Sequence, residues 1–224
     1  MTLTIDHDAV QWSAPAGSRA GRPLLVLLHG YGSDERDLFG LVPHLPDDAV
    51  VASLRGPGSN RSGYEWFPLD GELAGELGHR QTPTTDRLRE EGTNAAAAAV
   101  REWLGGLEEA PSVVGLLGFS QGGAVALQVL RQDPEAAGHV VVLSGFVAPG
   151  DLPGDEALAA RRPPVLYARG AADPVIAPFL VARTDEWLPA HTDVTTQVYP
   201  GLGHGISMDT LRDVRAFLEA RYAG

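Results

Sequence analysis

Val113-Val114-Gly115-Leu116-Leu117-Gly118-Phe119-Ser120-Gln121-Gly122-Gly123 is the stretch that decides the fold. Its first half is an apolar run of the kind that forms a strand buried on both faces. Its second half holds Gly118-Phe119-Ser120-Gln121-Gly122, a Gly-x-Ser-x-Gly pattern. A second apolar run, Ala124 to Leu130, then reads as a buried helix. Strand, sharp turn, helix is the context that gives this otherwise weak pattern its meaning. A turn that lifts one side chain out of a buried sheet forces unusual backbone angles and brings strand and helix close together. Glycine on either side relieves both problems. The spacing therefore predicts that Ser120 presents its hydroxyl at a helix start, where free N–H groups and the helix dipole meet developing negative charge.

The chain on either side alternates in the same way. Leu24 to Leu28 is a continuous apolar run and reads as a strand, followed by His29-Gly30-Tyr31-Gly32-Ser33-Asp34. Ser33 or Asp34 can cap a helix at about Glu35 to Leu41. Further strands are expected at 49–54, 139–143, 165–168 and 194–199, and short edge strands within 2–12. Helices are expected at 94–107, 121–132, 175–188 and 208–222, with a short one inside 149–162. Strands alternating with helices predict an α/β fold, a mostly parallel central sheet with helices on both faces. The segment of about 60–93 shows no period and reads as an irregular pocket or lid segment within a single domain spanning 1–224.

The chain has 224 residues, enough for a sizeable core, and a net charge of −12. That sign argues against nucleic acid as a partner. No cysteine is present, so disulfides and thiolate metal sites are excluded. Met1 to Asp6 lacks the basic and apolar stretches of a signal peptide. No apolar run approaches the roughly 18 residues of a membrane span. The expectation is a soluble, cytoplasmic protein without stable membrane insertion. A homodimer is compatible with the sequence.

A serine hydroxyl is a poor nucleophile unless a base takes its proton, and the base needs an acceptor that orients it. Loops after the strands of such a sheet meet at one edge. Strand 165–168 leads into Gly170-Ala171-Ala172-Asp173-Pro174, and strand 194–199 into Pro200-Gly201-Leu202-Gly203-His204-Gly205. Ser120, Asp173 and His204 thus form a candidate triad, in the chain order of α/β-hydrolases. Taken singly each has a plainer reading: a tight turn, a helix cap and a loop histidine. All three at strand ends in that order is a far rarer accident.

The N–H groups of Gln121 and Tyr31 are the candidate oxyanion donors. Trp66 and Phe67 are either core residues or walls of an apolar acyl pocket. His29 reads as a structural residue, and Glu72, Glu76, Glu108 and Glu109 as solvated surface. His7, His44, His79, His139 and His191 lack metal-ligand spacing. No phosphate or dinucleotide loop motif is present, so neither a metal nor another cofactor is expected.

Together these motifs resemble the phospholipase/carboxylesterase group of α/β-hydrolases, which includes acyl-protein thioesterases. The resemblance runs through Leu28-His29-Gly30-Tyr31-Gly32, the nucleophile turn Gly118 to Gly123, Leu143-Ser144-Gly145-Phe146, Ala172-Asp173-Pro174-Val175-Ile176 and Gly203-His204-Gly205-Ile206-Ser207. Trp66-Phe67 falls where that family has an aromatic pair lining the acyl site. Tyr31 stands where leucine is common there, and Ala177 where proline or valine is. The resemblance implies a cofactor-independent serine carboxylesterase acting on a small ester with an apolar acyl group. Its alternatives are a thioesterase or lysophospholipase with the same site, and a non-catalytic binder of apolar ligands on a hydrolase scaffold.

Overall fold

The computed structural model describes residues 3–70, 73 and 80–222. Among these, the strands are β1 (Gln11–Trp12), β2 (Leu24–Leu28), β3 (Val50–Leu54), β4 (Gly58–Ser59), β5 (Tyr64–Glu65), β6 (Val114–Phe119), β7 (His139–Leu143), β8 (Pro164–Gly170) and β9 (Asp193–Tyr199). The helices are α1 (Glu35–Phe39), α2 (Pro83–Gly105), α3 (Gln121–Gln132), α4 (Gly154–Arg161), α5 (Pro178–His191) and α6 (Met208–Tyr222). Seven strands form one sheet in the order β1-β3-β2-β6-β7-β8-β9, while β4 and β5 pair separately. All sheet neighbours run parallel except β1, which is antiparallel to β3. This is the α/β-hydrolase arrangement.

The apolar runs are continuous because the central strands are covered on both sides. In β2, Leu24, Val26 and Leu28 join a cluster with Ala96 of α2, Val125 of α3 and Leu180 of α5. Leu25 and Leu27 face the other way, toward Leu38 of α1 and Val214 of α6. Each such leucine contributes about 1.5–3 kcal/mol on burial. Helix α3 is buried from Gln121 to Arg131. Arg131 at its end is fully enclosed and forms a two-point ion pair with Asp155 at 2.8 and 2.7 Å, as well as donating to the Ala148 and Gly150 carbonyls. Nothing in the sequence pattern marks this pair.

Several elements differ from the sequence reading: β4 and β5 were not expected, and β8, Pro164–Gly170, runs past 165–168 at both ends. Helix α2 begins at Pro83, not Asn94. Thr82 caps the helix, its hydroxyl accepting from Thr85 N–H while the Thr85 hydroxyl accepts from Thr82 N–H. The buried positions of the first turns are Thr85, Arg89 and Thr93, so no apolar stripe betrays the helix. Helix α5 begins at Pro178, not Val175, because the Asp173 carboxylate takes the N–H groups of Val175 and Ile176. Near the N-terminus, among the described residues, only Gln11–Trp12 forms a strand; His7–Ala9 is a short helical turn capped by Asp6. Glu72, Glu76 and His79 lie outside the described residues.

Candidate active site

The registers of β2, β6, β7, β8 and β9 bring one set of loops to one rim: Leu28 lies beside Gly118, Phe119 beside Leu143, and Gly170 beside Tyr199. Ser120 follows Phe119 directly. Its N–H continues the ladder to the Leu143 carbonyl at 2.8 Å, and then its backbone turns to φ 56°, ψ −116°. A serine in that position normally caps the helix with its own hydroxyl. Here it makes no such bond, so the hydroxyl is left for another partner. The glycines are sterically required. A Cβ at Gly118 would run into the Gly122 carbonyl, and one at Gly122 into the Leu28 carbonyl.

His204 Nε2 lies 2.9 Å from Ser120 Oγ, and His204 Nδ1 lies 2.7 Å from Asp173 Oδ2. An ionised carboxylate only accepts, so Nδ1 carries the proton and Nε2 is free to accept from the serine hydroxyl. Asp173 is held at both oxygens, since Oδ1 accepts from the N–H groups of Val175 at 2.8 Å and Ile176 at 3.3 Å. Burial pushes this carboxyl group up. The bond to His204 and the two backbone donors outweigh burial and hold it below the ordinary carboxylate range. The two loops are tied together: Ala172 N–H donates to the Leu202 carbonyl and Ala171 N–H to that of Tyr199. Gly170 permits this closeness, because a Cβ there would meet the carbonyls of Leu202 and Gly203.

The loop after β2 lies against the serine: a Cβ on Gly30 would sit 3.6 Å from that of Ser120. Gly32 N–H donates to the Tyr64 carbonyl and Tyr64 N–H to that of Ser33, fixing the loop to β5. Gly32 adopts φ +75°. The N–H groups of Tyr31 and Gln121 donate to no protein acceptor among the described residues. His29 is fully buried, its Nε2 accepting from Gly56 N–H and its Nδ1 donating to the Gly30 carbonyl. Burial lowers its pKa, so it sits as a neutral structural ring.

A cavity of about 420 Å³ opens on Ser120 and His204, walled by Phe67, Leu69, Phe119, Phe146, Ile176 and Leu180. Phe67 lines it, but Trp66 does not. Trp66 is fully buried, and its indole N–H donates to the His29 carbonyl at 2.8 Å. The aromatic pair therefore divides its work: one ring walls the cavity, the other secures the loop beneath it. The sequence reading also missed the side chain of Gln121. Its Oε1 accepts from Trp66 N–H at 2.8 Å and its Nε2 donates to the Phe67 carbonyl at 2.6 Å. Arg89 adds a cationic side chain to the cavity wall. Among the described residues no group of three or more His, Asp or Glu side chains is placed to hold a metal ion.

The family model described as Phospholipase/Carboxylesterase matches residues 13–222. The chain is 28% identical over 208 residues to Esterase YpfH of Escherichia coli K12, covering 90% of this chain and 82% of that one. It is 29% identical over 113 residues to acyl-protein thioesterase 1 of Saccharomyces cerevisiae, a match covering half of that protein. Among solved structures, esterase PE8 superposes with a TM-score of 0.73 at 30% identity, over 98% of this chain and 99% of that one. The Bacillus cereus carboxylesterase, at 20% identity and a TM-score of 0.74 over 94% and 93%, shares the fold.

Proposed function

Because the chain belongs to the phospholipase/carboxylesterase family and is a hydrolase of that esterase class, we propose that it is a serine carboxylesterase acting through Ser120, His204 and Asp173. The observation that carries this reading is the unbroken relay from Asp173 through His204 to Ser120 at 2.7 and 2.9 Å. Ser120 Oγ attacks the ester carbonyl as His204 Nε2 takes its proton. Asp173 holds the ring and stabilises the imidazolium. The N–H groups of Tyr31 and Gln121 hold the oxyanion, each worth about 10²–10³ in rate. His204 then protonates the departing alcohol, and the acyl group remains on Ser120. A water molecule, giving its proton to His204, attacks the acyl carbonyl. The acid leaves as Ser120 recovers its proton. The apolar cavity takes the acyl group of a small ester.

The test is hydrolysis of a nitrophenyl ester series by the wild type and Ser120→Ala, with a thioester of the same acyl group beside it. The variant should lose at least about 10⁴-fold in kcat. A fluorophosphonate should label Ser120. Equal turnover by the two proteins, or no adduct, would remove the serine mechanism and favour a non-catalytic binder.

A further inference from the structure

A second cavity, of about 210 Å³, lies at the opposite rim of the sheet from Ser120. Leu24 and Val50, the first residues of β2 and β3, line it, whereas Ser120, Asp173 and His204 stand beyond the last residues of β6, β8 and β9. One strand length, about 13 Å, separates the two rims. The other walls come from β1, from the loop that follows it and from the end of α2. Glu109 holds that loop in place. Its carboxylate accepts from the N–H groups of Gly17 at 2.9 Å, Arg19 at 2.9 Å and Ala20 at 3.2 Å. Arg19 is fixed in turn: its Nε donates to the Ala14 carbonyl at 2.9 Å, and its guanidinium lies 3.8 Å from the centre of the Trp12 ring. The rings of Trp12 and Trp103 are 5.8 Å apart.

Two donors on these walls lack an acceptor. The terminal amino groups of Arg19 donate to none among the described residues. Trp103 is 3% exposed, and its indole N–H also has no acceptor among the described residues, yet that atom is not sealed from solvent. A buried donor in a folded protein nearly always has a partner, so an oxygen that accepts from both groups is the natural complement. The charges select a neutral guest. An anion would meet Glu108 and Glu109, and a cation would meet Arg19, which already covers one face of Trp12. Val10, Leu107 and Pro111 join the two indoles in an apolar wall that suits a ring. The volume falls below the roughly 300–1,000 Å³ of sites for drug-sized ligands, which leaves room for a single ring.

We propose that this cavity binds a small, neutral molecule that joins one aromatic ring to a carbonyl oxygen, the oxygen accepting from Arg19 and Trp103. The experiment titrates acetophenone, which has no ester bond to cleave, against the full-length protein. It follows the indole N–H signals of Trp12, Trp66 and Trp103, with benzoate and benzylammonium as charged counterparts. Turnover plays no part in the readout, so the result is independent of the esterase reading. Saturable shifts at Trp12 and Trp103 are expected with acetophenone. Affinity should fall about tenfold in Arg19→Met, which removes the donors and keeps the length of the side chain. It should fall at least as far in Ala16→Phe, which fills the recess from an exposed position and spares both donors. If Arg19→Met fails to fold, Ala16→Phe carries the test alone. A shift at Trp66 alone would place the molecule in the Ser120 cavity and overturn the proposal. So would non-saturating shifts, an affinity unchanged in either folded variant, or tighter binding of benzoate or benzylammonium.

Discussion

Gln121 and Phe67 stand 54 residues apart, yet a 2.6 Å bond from Gln121 Nε2 to the Phe67 carbonyl joins them. The residue beside the proposed nucleophile thus holds the wall of a cavity that it also lines. Gln121→Glu keeps the size and the acceptor for Trp66 N–H but cannot donate to Phe67. It should destabilise the fold by about 1–3 kcal/mol through the stranded carbonyl. It should also lower kcat/KM for long acyl esters by roughly tenfold, and for an acetate ester by less. A chain-length series with urea melts of both proteins measures this.

Asp173→Asn should keep the loop in place, since the amide oxygen still accepts from Val175 and Ile176. It favours the wrong tautomer of His204, however, and withdraws the charge that steadies the imidazolium. A fall of about 10⁴-fold in kcat with an unchanged melting temperature is the expected outcome. A loss below tenfold would mean that Asp173 only shapes the loop.

His139, in β7, is 1% exposed, beside the Tyr222 hydroxyl at 3.2 Å. Burial, with Arg221 nearby, lowers its pKa to about 4 from an ordinary 6.5. The unfolded chain therefore takes up a proton that the native state refuses. Stability should be full above pH 6.5 and decline as the pH falls toward 4, by roughly 3 kcal/mol in all. Urea melts across this range should show the slope, and His139→Leu should flatten it.

Much of this architecture was legible because the central strands and much of α3 are apolar runs, which leaves few alternatives for β2, β6 or β7. The order Ser120, Asp173, His204 at strand ends was legible for the same reason: once the strands are found, the loops follow. What escaped detection was polar and buried. The first turns of α2 bury Thr85, Arg89 and Thr93, so the helix start looked like loop. The Arg131–Asp155 pair and the grip of Gln121 on residues 66–67 are contacts between distant segments, which no local pattern records. Nor could the sequence say which ring of Trp66-Phe67 would face the cavity, because the acceptor that draws in the Trp66 N–H, the His29 carbonyl, lies 37 residues away.

Glycines separate into those that the fold requires and those that it tolerates. Gly122→Ala should prevent folding or abolish activity, because its methyl group would enter the Leu28 carbonyl. Gly105, at the end of α2, has open space around the same position. Gly105→Ala should gain about 0.4–1 kcal/mol by narrowing the unfolded ensemble. Expression yield and thermal melts separate the two.

The positive φ at Ser120 gives the molecule a built-in conflict of interest. Glycine occupies such a backbone shape freely, whereas serine is strained there by about 1–3 kcal/mol. A chain selected only for robustness would discard the hydroxyl; on the proposed mechanism, a variant that did so would outlast its parent in heat while remaining inert. Durability and reactivity thus pull in opposite directions at a single residue.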